Sequence, residues 1–379
     1  MAASLTVVAI LSFIMYSMSR KKIEIAQNEI VIYCAAGIRL PIQEIAKDYE
    51  REFKTKITLE YSSSGELEAK LQQDAQYGKS RAHLYIPADV SFSQRTIDKG
   101  LTAESLPMAQ FNLVLASHPE NNLEVSSIKE FLDKKIPYAL CLENAGAGKK
   151  TMKILKKSNL WKTAKENRKV EFAKVTECAN AIKTTDAIQA GFIWDTTAKQ
   201  FGLKIHHTPE LKAASSSINI NVVSSVKNPA EVLHIARYFS AAGKSVKHFN
   251  KFGFNPRSGD NWQSSPALSL YCGGVNKVAV DKTISEFAKR EGVTIDITYA
   301  GCGTLVSSMA GIDNGSSDKS FPDAFMTCDK SYFDKVSESF KDAEDISSTE
   351  IVILVRKGNP KKIKTIQDLS QEELNVGTT

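Results

Sequence analysis

The sequence predicts an α/β protein built from parallel strand–helix–strand units. Three observations predict it: a chain of 379 residues, apolar runs that switch between strand and helix periodicity, and a segment pattern that returns at a fixed offset of 238 residues (Tyr33 to Tyr271, Tyr61 to Tyr299). Single hydrophobic cores stop growing at about 250–300 residues, so this length calls for more than one. A hydrophobic content of 42% with 24% charged residues is that of folded globular protein and excludes general disorder.

In the first copy, Ile30 to Ala36 is a short apolar run that reads as a strand. Ile42, Ile45, Ala46, Tyr49 and Phe53 then follow at helical spacing, and Lys56 to Tyr61 alternates as a second strand. The second copy repeats this order with a strand around Leu270 to Gly274, a helical stripe of Val280, Ile284 and Phe287, and an alternating run from Val293 to Tyr299. Such units form right-handed crossovers feeding a parallel sheet. Further along, Tyr85–Asp89 corresponds to Phe325–Asp329, and Leu113–Ala116 to Val352–Val355.

The first copy continues through strands at Tyr138–Leu142 and Gly191–Trp194 and a long amphipathic helix beginning near Ala230. Nothing in the second copy matches residues 143–254. The expected division is an N-terminal segment over 1–24, a complete domain over 25–256, a Pro/Gly/Ser-bearing linker over 257–266, and a partial second domain over 267–379. Half a domain leaves apolar faces without partners, so the chain is expected to be a fragment or a truncated product.

Residues Met1 to Met18 carry no charged side chain, and Arg20-Lys21-Lys22 follow them. This reads as an export signal or a membrane anchor. The net charge of +6 suits an anionic ligand, but the lysines are dispersed, which excludes a nucleic-acid footprint. Six cysteines form no CxxC pair and no zinc spacing, and the sequence does not pair them. His206, His207, His234 and His248 lack metal-site spacing and read as surface or helix residues.

Chemistry is concentrated at the strand-to-helix junctions. Ala35-Ala36-Gly37 and Ser62-Ser63-Ser64-Gly65 each end a strand before a helix, where backbone N–H groups, hydroxyls and the helix dipole favour an anion. A serine there is equally an N-cap. Asn144 to Thr151 is Gly-rich, but Glu143 and Lys150 stand where a phosphate loop needs glycine and a magnesium-ligating hydroxyl, which argues against an ATPase. Trp194 is either a donor to an anion or a core aromatic, and Asp195 either accepts from a protonated ligand or caps the next helix. No catalytic set emerges, so the protein is not expected to be an enzyme.

Taken together, Tyr33-Cys34-Ala35-Ala36-Gly37, Ser62 to Leu67, the Ala147-Gly148 turn and Gly191-Phe192-Ile193-Trp194 resemble the periplasmic molybdate-binding proteins of ABC importers. The resemblance runs over Ile30–Phe254 and resumes from Leu268. It implies a two-lobed periplasmic-binding-protein type II fold, as one complete copy followed by a truncated second copy. It further implies a periplasmic or extracytoplasmic monomer, possessing no cofactor or metal, that captures molybdate or tungstate for a membrane permease; the alternatives are capture of another anion such as sulfate or phosphate, or a ligand-responsive sensor or scaffold that retains the fold without transport. The implied ligand-binding residues are Gly37, Ser64, Ala147, Cys178 and Trp194, acting as neutral donors without a buried cation. Gly37 replaces a serine usual in the family and Trp194 a tyrosine. In the second copy Val275 and Cys302 occupy the positions of Gly37 and Ser64, so that copy is expected to be specialised or non-binding.

Overall fold

The computed structural model describes residues 29–78, 80–257, 259, 261–313, 320–340, 342–348 and 350–377. The N-terminal segment read as an export signal or anchor lies outside them. No helix among the described residues is long and apolar enough to cross a membrane.

The first domain begins with β1 (Glu29–Ala35), α1 (Arg39–Phe53), β2 (Lys56–Ser62), α2 (Ser64–Gln76), β3 (Leu84–Ile86) and α3 (Val90–Asp98). β1 pairs in parallel with both β2 and β3, as the apolar run predicted. α1 turns Ile42, Ile45, Ala46 and Tyr49 onto this sheet and ends at Lys54 in a left-handed C-cap. β4 (Thr102–Ser117) is the longest strand, and two sets of partners share it. Its residues Thr102 to Asn112 pair with β9 (Ser215–Val223), and Leu113 to Ser117 pair with β7 (Ala190–Trp194).

The second lobe lies beyond that change of partner. It contains α4 (Ile128–Asp133), β5 (Tyr138–Cys141), α5 (Gly146–Lys157), α6 (Trp161–Asn167), β6 (Val170–Phe172), α7 (Val175–Thr184), α8 (Asp195–Phe201) and β8 (Lys204–His206). The strand order across both lobes is β2-β1-β3-β9-β4-β7-β5-β6. His206, expected at the surface, is buried in β8 and hydrogen-bonds Ser117 Oγ at 2.8 Å.

The long helix expected from Ala230 is two helices, α9 (Pro229–Ser240) and α10 (Ala242–Lys251), because Ala241 between them is extended. A short β10 (Asn255–Pro256) then returns to β4. α9 and α10 cover the α1 side of the first lobe, where Tyr49 Oη lies 2.8 Å from His234 Nδ1 and Tyr238 Oη donates to Glu52.

Contacts divide the chain into two units, one running through Ser269 with residues 278–296, the other comprising 270–277 and 297–379. The later part holds β11 (Ala267–Gly273), α11 (Lys277–Glu291), β12 (Thr294–Ala300), α12 (Cys302–Asp313), β13 (Ala324–Met326) and α13 (Lys330–Asp334). Its sheet order, β12-β11-β13, repeats β2-β1-β3. The register repeats too: Tyr271 faces Phe325 and Cys272 faces Met326, as Tyr33 faces Tyr85 and Cys34 faces Ile86.

Val280, Ile284 and Phe287 lie on one helix as their spacing predicts, but none of them is buried, and Val352–Val355, the counterpart of Leu113–Ala116 in β4, form no strand. In the first copy, α9 and α10 flank α1, and β7 and β9 supply the ladder for β4; no counterpart of these elements is present among the described residues of the second. Apolar pattern alone does not hold a strand whose backbone has no ladder.

Candidate anion-binding site

Gly37, Ser64, Ala147 and Trp194 line one small cavity between the lobes of the first domain. It has room for a body roughly 3 Å in radius, the scale of a four-oxygen anion.

Chain folding brings helix starts to this point. Ala36–Ile38 form a tight 3₁₀ turn leading into α1, and no side chain caps it. Ala145 precedes α5 without a side-chain cap, leaving the amides of a 12-residue helix facing the cavity. α2 is different: Ser63 Oγ accepts from Glu66 N at 3.3 Å, and the Glu66 carboxylate accepts from Ser63 N at 3.2 Å. Ser63 is therefore the cap, and Ser64 lines the cavity without a capping role. Ser64 Oγ accepts from Ala88 N at 3.0 Å, and its own proton is committed to no acceptor among the described residues.

Trp194 is almost wholly buried, at 1% exposure, and stands edge-on to Phe111 with ring centroids 4.2 Å apart. Its Nε1 has no hydrogen-bond partner. A buried donor left unmade costs about 1–3 kcal/mol, so its place on the cavity wall has chemical content. At Gly37 an added Cβ would lie 2.9 Å from Val175 Cγ1, too close without a shift, and 3.5 Å from Trp194 Cδ1, an ordinary contact; the close approach of the α7 start is what keeps position 37 small.

Cys178 is not brought to the cavity. It lies one helical turn inside α7, fully buried and within hydrogen-bonding reach of the Cys141 thiol. The start of α7 supplies Lys174 and Val175 to the wall instead. Sequence reasoning missed both, although β6 ends just before them in the same strand-to-helix pattern as the other junctions. Lys174 also departs from the all-neutral site that the resemblance implies. Its ammonium pairs with Glu177 at 3.4 Å and, after the Ser62 hydroxyl and the Ser63 amide, helps hold the Glu66 carboxyl below its usual range.

Asp195 is withdrawn from ligand duty. Its Oδ1 accepts from Asn112 N at 3.0 Å and Thr196 N at 2.8 Å, and its Oδ2 accepts from Asn112 Nδ2 at 3.2 Å. As the first residue of α8, it thus fastens that helix to β4 at the residue where the strand changes partners.

The lobes meet closely around the cavity. Gly65 N donates to Asn144 O at 2.9 Å, and a Cβ on Gly65 would fall 2.5 Å from that oxygen. A Cβ on Gly146 would lie 3.0 Å from Ala88 Cβ. Lys150, beside the cavity, approaches Asp89 at 3.9 Å, and burial pushes its pKa down. A wider hollow of about 560 Å³ opens elsewhere beside Trp262, but its carboxylate, Glu52, is engaged by Lys244 and Tyr238. No cluster of three or more His, Cys, Asp or Glu side chains suited to a metal occurs among the described residues.

A family model described as bacterial extracellular solute-binding protein matches residues 30–255 and 268–379. No curated protein matches. Among solved structures, iron-bound HitA from Pseudomonas aeruginosa superposes with a TM-score of 0.51 at 14% identity, covering 62% of this chain and 88% of that one. The ferric binding protein from Campylobacter jejuni gives 0.50 at 15%, covering 62% and 88%. The periplasmic molybdate-binding protein of Azotobacter vinelandii gives 0.49 at 16%, covering 59% and 98%. The likenesses to HitA and the ferric binding protein agree with the two-lobed fold described above.

Proposed function

Because this chain belongs to the bacterial extracellular solute-binding protein family, whose members are extracytoplasmic binding proteins rather than enzymes, we propose that its first domain captures molybdate or tungstate and presents it to an ABC permease. The observation that carries this reading is the buried, unpartnered Trp194 Nε1 on the wall of a cavity of oxyanion size. Around it stand the hydroxyl of Ser64, the uncapped starts of the 3₁₀ turn and α5, and Lys174, whose ammonium pairs with Glu177. Each is a donor or a positive charge, and charge-assisted hydrogen bonds of this kind are about twice as strong as neutral ones.

No carboxylate is among the lining residues, and Asp195 is occupied at β4. The cavity therefore offers no acidic acceptor for the proton that phosphate keeps at neutral pH, which favours a fully deprotonated anion. Binding would draw the two lobes together on the ligand and give the permease a closed shape to recognise.

Titration calorimetry of the protein against molybdate, tungstate, sulfate and phosphate tests the reading. Tight binding of molybdate and tungstate, one ion per chain, is the expected result. Silence toward all four would overturn oxyanion capture, and preference for sulfate would overturn the choice of ligand.

A further inference from the structure

The second copy preserves one contact of the first copy's anion site with sulfur in place of oxygen. Ser64 Oγ accepts from Ala88 N at 3.0 Å, and Cys302 Sγ accepts from Cys328 N at 3.2 Å. Cys302 stands at the first position of α12 as Ser64 does at the first position of α2, and Cys328 follows β13 as Ala88 follows β3. A Cβ on Gly273 would lie 2.7 Å from Cys302 Sγ, and the corresponding residue of the first copy is Ala35. Cys302 is buried and Cys328 is exposed.

We propose that Cys302 and Cys328 form a reversible dithiol–disulfide site at this position, oxidised by exchange with low-molecular-weight disulfides. A sulfur held 3.2 Å from the other cysteine's own backbone nitrogen is within one side-chain rotation of its thiol. The exposed Cys328, deprotonated to its thiolate, attacks one sulfur of the small disulfide, whose S–S bond breaks as one thiolate leaves and takes up a proton. Cys302 then loses its proton and attacks the Cys328 sulfur, expelling the second small thiol. Two protein thiols are oxidised to one disulfide, and one small disulfide is reduced to two thiols. The extracytoplasmic compartment of this family is where such oxidants persist.

Partial burial, followed by the neighbouring Cys302 thiol, pushes the Cys328 thiol up to about 11. The first step should therefore accelerate as pH rises toward that value. Cys34, Cys141, Cys178 and Cys272 are buried and serve as internal controls.

The test treats the full chain with oxidised glutathione, alkylates the remaining thiols under native conditions, and maps peptides by mass spectrometry. The expected result is a peptide joining Cys302 to Cys328 that reduction releases, with loss of Cys328 alkylation. Cys302→Ser, which recreates the serine of the first copy, should fold and leave Cys328 as a stable glutathione adduct. Cys328→Ser should give neither adduct nor link. Full alkylation of Cys328 after oxidation, or a link from Cys302 to any other cysteine, would overturn the proposal. None of these outcomes depends on whether the first domain binds an anion.

Discussion

Trp194→Phe separates the donor from the packing at the proposed site. A phenyl ring keeps most of the buried contact with Phe111 and removes only the pyrrole edge with its Nε1. In the free protein that N–H is buried and unpaired, so its removal relieves a penalty of about 1–3 kcal/mol, which offsets part of the lost packing. In the bound protein the same change deletes a hydrogen bond to a charged ligand, about 1.5–3 kcal/mol, or roughly ten- to 150-fold in affinity. The two states therefore respond differently. Calorimetry should show molybdate affinity falling within that range, while thermal unfolding of the free protein shifts little. Affinity within twofold of the parent would refute Trp194 as a ligand. An equal loss of stability with and without ligand would refute the separation of donor from packing.

Ser64→Ala should weaken oxyanion binding and also lower the stability of the free protein by about 1 kcal/mol, because Ala88 N loses its acceptor; denaturant titration reads the second effect. Gly37→Ser should impair binding by calorimetry, since its Cβ meets Val175 Cγ1 at 2.9 Å, and adding Val175→Ala should recover affinity by returning that space. Gly65→Ala places a methyl 2.5 Å from Asn144 O, so small-angle scattering should show ligand-induced compaction reduced or lost. Asp48 supplies a pH test. Although desolvation alone would raise its pKa, His248, Lys247 and Arg51 hold it at about 2. The folded value lies below the unfolded one of about 3.9, so this stabilisation is present above about pH 4 and is lost as pH falls toward 2. Asp48→Asn should flatten that part of the stability profile measured by denaturant titration.

The strands and helices of the first lobe were legible because their apolar periods differ and because β1, β2 and β3 are bounded by polar or small residues. The repeat was legible from aligned tyrosines and reappears in the sheet register. What escaped was information carried by partners distant in sequence. Cys178 was carried over by position from the resemblance, but it lies one turn inside α7 and is wholly buried, and the groups that line the cavity, Lys174 and Val175, are those just before it. The division of labour between Ser63 and Ser64 depended on which hydroxyl reaches Glu66 N. The exposed fate of Val352–Val355 depended on ladder strands that no local pattern announces. Val175 gave the clearest case: a valine after a lysine carries no sign that it sets the space at Gly37.

β4 has a mechanical meaning as well. One uninterrupted strand belongs to both lobes, so the lobes cannot part by slackening a loop; opening must flex a hydrogen-bonded beam. Its neighbour changes from β9 to β7 at Asn112 and Leu113. Asp195 holds one side of this joint through Asn112, and Ala214 O holds the other through Leu113 N at 3.0 Å. Under the proposed function, release of the anion would then depend on stiffness at two residues outside the cavity wall. Asp195→Asn, by softening the joint, should accelerate dissociation in stopped-flow measurements while leaving the cavity wall intact.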